Sequence, residues 1–416
     1  MEKRNRMDAW VGRFITADGT QVSLEPEFSL AEMFSGQQRE QAPVAQRLHP
    51  PVIFEKHFML TAIPQAATLR STALGIYQVT LNDQSVTTAL FAPDYTAYRN
   101  ILQYQTYAVQ KQLRVGDNVL RFVVADGWYA GRISVQGGSA QFGDTLAILA
   151  DLNLTTADGA QKVIGTDESF TATTGKWRYA DIQIGEQQDL RLLDKPQPTL
   201  TTRVYPTDYT RLRAQIGPQV HRMVTIKPQR IWQEGAAQIV DFGQVLVGRV
   251  RLTAVLSDGQ EIAFDHSESL DQQGHFFQNI IGRNKDQHDV FIGRGQAEIL
   301  EPDFTFHGFR YVKVTGVEDL HVDDLVAVVL FSDMPRTGHI QTSDSRINRL
   351  LENVRWSQQG NMLSIPTDCP QRERVGWTGD MQVFAPASTF YYDTSALIRR
   401  WLASVRADQQ ADGEIL

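Results

Sequence analysis

The stretch Ser343-Asp344-Ser345-Arg346-Ile347-Asn348-Arg349-Leu350-Leu351-Glu352-Asn353-Val354 is where the chain changes period. Ile347, Leu350, Leu351 and Val354 fall at i, i+3, i+4 and i+7, the spacing of one face of an amphipathic helix. Ser343 or Ser345 is expected to cap its N-terminus. Further on, Leu397, Ile398, Trp401, Leu402 and Val405 mark another helix between Asp393 and about Asp408. A third is expected from Asp380 to Phe390, kinked or shortened by Pro386. Two or three helices do not close a core of their own. The region after Gly338 therefore reads as the opening of a larger all-α domain.

Upstream of that stretch the pattern is strands and turns. Residues 73–81 are near-alternating and end at the turn Asn82-Asp83. Residues 119–124 follow the turn Gly116-Asp117-Asn118, and residues 146–154 run towards Asp158-Gly159. Trp10 to Ile15 is expected as a further strand, and Gln37 to Gln46 as a connector. This predicts an N-terminal strand and connector over 1–50 and an all-β sandwich over 51–198. Residues 199–337 repeat the style. Residues 249–256 reach a turn at Ser257-Asp258-Gly259 and 261–266 follow, which predicts a hairpin; 309–314 and 325–330 are further strands. The fold class is multidomain: two β-sandwich, jelly-roll-like domains followed by helices over 338–416.

Length and composition bound the function. A chain of 416 residues suggests two to four domains, and 42% hydrophobic with 21% charged residues suits a globular core. A net charge of −8 argues against non-specific nucleic-acid binding and fits a neutral substrate. Cys369 is the lone cysteine, so no intrachain disulfide forms. No run approaches the roughly 18 apolar residues of a membrane span, and no signal-peptide core follows Met1, so no membrane partner and a cytoplasmic location are expected. No cofactor and no metal are expected either. No Gly-rich phosphate loop of convincing form appears, and His266 and His307 lie beside strands without paired ligand spacing. Asp323-Asp324 reads as solvated loop charge.

The chemistry concentrates between Thr367 and Asp380: Asp368, Glu373 and Asp380, with Arg372, Arg374 and Trp377, punctuated by Pro370, Gly376 and Gly379. Glycosidic cleavage needs one carboxyl to protonate the leaving oxygen and another to activate water or attack carbon, and an aromatic face suits a sugar ring. Gly376 and Gly379 disfavour one helix from Glu373 to Asp380, so the segment reads as a loop leading into a helix. The same charge density also suits a salt-bridged interdomain loop, and composition leaves both open. Trp377 alone suits a core or interface position as well as a sugar platform, and Cys369 an inert buried thiol. Asp126-Gly127-Trp128-Tyr129 reads either as a turn with a buried tryptophan or as part of a carbohydrate-binding surface.

The order of features resembles the bacterial α-L-rhamnosidases of glycoside hydrolase family seventy-eight. Asp368-Cys369-Pro370-Gln371-Arg372 followed by Glu373-Arg374-Val375-Gly376-Trp377-Thr378-Gly379-Asp380 has the family's form, in the variant without an extra Asp before the Glu. Gly75-Ile76-Tyr77, Ala92-Pro93-Asp94-Tyr95, Asp126-Gly127-Trp128, Asp241-Phe242-Gly243-Gln244, His266-Ser267-Glu268-Ser269-Leu270 and Phe306-His307-Gly308-Phe309-Arg310 are similar too. The resemblance implies an inverting hydrolase of rhamnose-containing glycosides, its catalytic domain an (α/α)6 barrel after β-sandwiches. It makes Glu373 the general acid. Asp368, Asp380, Arg372 and Trp377 become substrate-binding residues, with Arg372 orienting a neighbouring carboxylate. The family's general base, a Glu far downstream, maps to nothing here; Glu414 does not match its context. Twelve helices need about 300 residues, and 78 follow Gly338. The expectation is an N-terminal portion of such an enzyme with impaired activity. Its helices are expected to expose apolar stripes such as Leu397, Trp401 and Val405. Its partner is expected to be a second copy or the C-terminal half of a split enzyme. The alternative is a non-catalytic carbohydrate-binding or scaffold protein.

Overall fold

The computed structural model describes residues 9–29, 31–32, 47–133, 137–278, 280 and 286–414. The expected Gln37–Gln46 connector lies outside them. The fold is mostly β-sheet, with three long helices at its C-terminal end among the described residues.

The first β-unit packs a seven-stranded sheet against a five-stranded one. Alternation explains the layers: Leu69, Leu152 and Leu154 from one sheet meet Phe54, Leu120 and Phe122 from the other in a single core. The run over 73–81 is two strands, Ala66–Leu74 and Ile76–Leu81, and they belong to different sheets. Gly75 separates them at φ +129°, and a Cβ there would lie 2.5 Å from the Ala125 carbonyl oxygen. Glycine alone lets the chain cross between layers at this point. Asn82 and Asp83, both at positive φ, then close a tight turn in which Leu81 faces Gln84. The N-terminal strand is Ile15–Ala17, later than expected. Trp10 instead packs edge-on against Tyr104 under the Arg70 guanidinium.

Sheet membership cuts across the expected division at 198/199. Trp177–Asp181 and Gly185–Asp189 join the ten-stranded sheet of the second β-unit, the latter running parallel to His288–Ile292. Conversely, Thr202–Val204 pairs with Ile15–Ala17, and Leu212–Ala214 with Leu102–Ala108. An unpaired strand edge accepts whichever chain reaches it, and turn signals do not encode that choice.

The second β-unit is organised by one 19-residue strand, Ala237–Val255. Its first part pairs with Arg230–Glu234 and His307–Thr315; its last part pairs with Leu325–Ser332 and Ala297–Leu300. The register shifts between Asp241 and Leu246, where Gly243 takes φ +79°. The hairpin expected between 249–256 and 261–266 does not form. Residues 249–255 pair instead with Leu325–Ser332 and Ala297–Leu300, while 261–267 pair with His288–Ile292 and His307–Thr315, whose Phe309, Val312 and Val314 are buried in the common core. That long-range burial outweighs the local turn.

Three helices follow: α1 (Ser345–Gly360), α2 (Thr378–Tyr391) and α3 (Ser395–Asp408). Asp344 caps α1, accepting the Arg346 amide at 2.8 Å, in place of Ser343 or Ser345. Pro386 sits inside α2 without ending it; Gln382, whose carbonyl loses its donor, is on the exposed side. Leu397 and Trp401 are buried, contrary to expectation, against Met362, Ile365 and Tyr391. The buried pair Arg400–Asp94, 2.7 Å apart, holds α3 to the first β-unit. The exposed apolar side chains are instead Ile347, Leu350, Val383, Phe390 and Leu402.

Candidate active site

A two-stranded ribbon, Met362–Leu363 with Ile365–Pro366, launches the acidic loop, and α2 receives it. The loop sits directly on the second β-unit because Gly308 has no side chain; a Cβ there would meet the Pro370 carbonyl carbon at 3.0 Å. Gly376 similarly allows the loop to approach the Trp401 indole, 2.8 Å from a built Cβ.

Within the loop, Cys369 links the Asp368 carboxylate to the backbone of Glu373. Its thiol donates to Asp368 Oδ2 at 2.9 Å and accepts the Glu373 amide at 3.2 Å. Burial pushes the thiol pKa up, with the Asp368 contact adding to it, which keeps the sulfur protonated as a donor. Asp368 Oδ1 is buried with no hydrogen-bond partner among the described residues. Asp368 and Asp380 line one cavity of about 440 Å³, together with Gln358, Asn361 and Phe384. Asp380 stands in the first turn of α2, where the helix dipole favours negative charge.

Glu373 faces a different set of groups. Trp377 Nε1 donates to its Oε2 at 2.7 Å, and Arg372 Nη2 lies 2.7 Å from its Oε1. Trp377 is 43% exposed, so one aromatic surface is open to solvent. The two arginines flanking Glu373 diverge. Arg372 is exposed; Arg374 is buried, at φ +53°. The Arg374 guanidinium donates to the Ile182 carbonyl at 2.6 Å and lies 4.6 Å from the Phe306 ring centroid. Burial pulls its pKa down to about 10, against the attraction of Cys369, Asp181 and Asp289. A non-glycine residue in the left-handed region stores strain that this anchor must hold.

Behind Arg374 lies a buried group that spacing along the chain does not reveal. His266 and His307 stack 4.1 Å apart at 23°, and His307 Nε2 is 2.9 Å from Asp289 Oδ2. Desolvation, then the neighbouring His307, pulls His266 down to about 3, while burial pushes Asp289 up to about 6. The three potential ligand atoms lie within 4.8 Å of one another. Stacked rings do not aim both nitrogen lone pairs, in plane, at one ion, and Arg374 and Arg249 act on the same group. The geometry is that of a hydrogen-bonded support for the loop. Trp128 is buried edge-on to Phe91 and Tyr95, so the carbohydrate-surface reading of Asp126–Tyr129 gives way to the buried turn. Asp323 makes an exposed ion pair with Lys227.

Three family models match in succession: the α-L-rhamnosidase N-terminal domain over residues 62–222, the bacterial α-L-rhamnosidase concanavalin-like domain over 233–331, and the bacterial α-L-rhamnosidase 6 hairpin glycosidase domain over 335–416. The chain belongs to the bacterial α-L-rhamnosidase family. An α-L-rhamnosidase of Streptomyces avermitilis is 34% identical over 360 residues, covering 83% of this chain and 35% of the relative. The native α-L-rhamnosidase structure from Aspergillus terreus superposes with TM-score 0.85 at 34% identity, over 96% of this chain and 45% of that one. The Streptomyces avermitilis enzyme complexed with L-rhamnose gives TM-score 0.83 at 32% identity, over 89% and 37%. The chain spans 35 to 44% of the length of the curated relatives it matches. Among the described residues no helix is long and apolar enough to cross a membrane.

Against this family background, the site residues read from sequence divide into two clusters. Asp368 and Asp380 share the cavity, while Arg372, Glu373 and Trp377 form a hydrogen-bonded trio beside it. Sequence reasoning missed Arg374 as the anchor and Asp289 as its distant support. The single available signal was an arginine inside a loop already dense in charge.

Proposed function

We propose that this chain supplies the acid-bearing part of an α-L-rhamnosidase active site. Residues 338–416 are read as the first helices of an (α/α)6 barrel, following β-domains over 51–198 and 199–337. The observation that carries the reading is the buried Asp368 Oδ1, unpartnered among the described residues, in a cavity it shares with Asp380. An unpaired carboxylate oxygen asks for a donor, and sugar hydroxyls are donors. In this reading L-rhamnose of a rhamnoside occupies that cavity, and Glu373 protonates the departing oxygen. Trp377 orients Glu373 and offers its open face to the sugar. Arg372, on an open surface where ion pairs contribute little, releases Glu373 when substrate enters. Asp368 and Asp380 are the carboxylates that line the cavity among the described residues. The water-activating base is assigned elsewhere in the working enzyme.

One observation favours binding without turnover by this chain: both Glu373 oxygens are already engaged. Glu373→Gln in the full-length gene product separates the readings. Loss of a general acid lowers turnover by about 10²–10⁴-fold. The loss is expected to be large for rhamnosides with poor leaving groups and small for activated aryl rhamnosides. Equal rates for both substrate types in variant and parent overturn the assignment.

A further inference from the structure

The buried turn that begins at Asp126 ends in an arginine that lies wholly inside the molecule. Arg132 follows the short helix Gly127–Ala130 and has no exposed surface. Its amide and Nη1 donate to Asp181 Oδ2 at 3.0 and 3.1 Å. Its Nη2 donates to Glu25 Oε1 and, at 3.3 Å, to the Arg47 carbonyl. Gly131 permits the close approach, since a Cβ there would lie 3.3 Å from Asp181 Oδ2. One planar guanidinium thus ties the first β-unit to Trp177–Asp181, the strand that crossed into the second.

Asp181 opens the turn Ile182-Gln183-Ile184 that joins the two crossed strands. Its Oδ1 accepts the Gln183 and Ile184 amides, both at 2.9 Å. With the two bonds from Arg132 the carboxylate has four donors, so the turn is pinned from its inner side. The outer side of the same turn carries the acidic loop. The Ile182 carbonyl accepts Arg374 Nη1 at 2.6 Å and Thr305 Oγ1 at 3.1 Å. Gln183 is buried, and its Nε2 lies 3.5 Å from the Glu373 carbonyl oxygen. Glu373 is therefore backed by this turn twice, at its own carbonyl and through its neighbour Arg374. A buried ion pair adds little net stability over well-packed apolar side chains of similar volume. What the Arg132–Asp181 pair supplies is a fixed distance between two β-units, at the point where the acidic loop rests on them.

We propose that Arg132 is a positioning residue for Glu373, acting through Asp181 and the Ile182–Ile184 turn across the junction of the two β-units. The proposal rests on the reading of Glu373 as the acid, and its test separates the two. The Trp377 indole N–H donates to the Glu373 carboxylate. Its NMR resonance in this chain, assigned through Trp377→Phe, reports where Glu373 stands whatever its chemical role. In Arg132→Met that resonance is expected to move upfield as the bond lengthens. In the full-length gene product, kcat for a rhamnoside with a poor leaving group is expected to fall about tenfold. KM is expected to stay unchanged, because Asp368 and Asp380 keep their cavity. Asp181→Asn is the second variant should Arg132→Met unfold. It keeps an acceptor for the turn amides, gives up the charge that Arg132 binds, and is expected to move both readouts in the same direction. Arg70→Met removes the ionic partner of buried Asp151, 3.0 Å away, elsewhere in the first β-unit. As a control for lost stability it is expected to leave both readouts unchanged. An unmoved resonance in the folded variants, or an equal movement in Arg70→Met, overturns the positioning role alone. A moved resonance with parental kcat overturns Glu373 as the acid, and the positioning role with it.

Discussion

Replacing Arg374 by Met separates what anchors the acidic loop from what stabilises the fold. The guanidinium is fully desolvated, and depression of its pKa to about 10 corresponds to about 3 kcal/mol of burial cost. Against this stands the charge-assisted bond to the Ile182 carbonyl, worth about 1.5–3 kcal/mol. The acidic partners do not depend on Arg374 alone: Asp181 keeps Arg132, and Asp289 keeps His307 and the Glu186 amide. Met has similar length and no charge, so the two terms nearly cancel. Urea unfolding of Arg374→Met is expected to shift by no more than about 1 kcal/mol, whereas Arg374→Ala, which also opens a cavity, costs about 3 kcal/mol. Function behaves differently. Without the anchor the backbone at residue 374 is free to leave its left-handed conformation, and Glu373, one residue away, moves with it. Misplacement of about 1 Å costs on the order of 10²-fold in rate. The assay pairs urea unfolding of this chain with rhamnoside hydrolysis by the full-length gene product. A Met variant destabilised by about 3 kcal/mol or more would show that attraction to Asp181 and Asp289 exceeds desolvation. A Met variant that is stable and fully active would show that Arg374 does not position the loop.

Two further outcomes follow from buried charge. Asp94→Ala leaves the buried Arg400 without its counter-ion and with carbonyl partners only, so unfolding is expected about 3–5 kcal/mol earlier, read from the urea midpoint; an unchanged midpoint would mean those carbonyls suffice. His266, held neutral down to about 3 in the folded state, makes the unfolded chain bind the extra proton below the ordinary histidine value near 6.5. Its contribution is therefore complete above about pH 6.5 and is lost towards acid at about 1.4 kcal/mol per pH unit. His307 acts in the same direction, and Asp289, pushed up to about 6, opposes both across its own window. Urea unfolding of His266→Phe between pH 4 and 7 is expected to show a shallower acid loss than the parent; parallel curves would rule out His266 as a source.

The periodicities of 2 and 3.6 carried the main layout. Alternation names the buried face of a strand, and the i, i+3, i+4, i+7 pattern marks a helix even though Ile347 and Leu350 of its stripe stay exposed, so the order of β-units followed by helices was legible in the residues themselves. The residues from Asp368 to Asp380 were readable as chemistry because carboxylates, arginines and a tryptophan seldom crowd into a core element. Partnership was not readable. Alternation does not say which edge a strand pairs with, so Trp177–Asp181 crossed into the second β-unit, and residues 249–255 paired with Ala297–Leu300 and Leu325–Ser332 in place of a hairpin with 261–266. A helical stripe does not say whether its cover lies in the same domain, so Leu397 and Trp401 were buried where exposure was expected. Only the tertiary structure turned Arg374 inward and brought Asp289 and His307, 18 positions apart, onto one hydrogen bond behind it. Local sequence sets which surfaces must leave water; the free energy that decides where they go is shared among residues far apart in the chain.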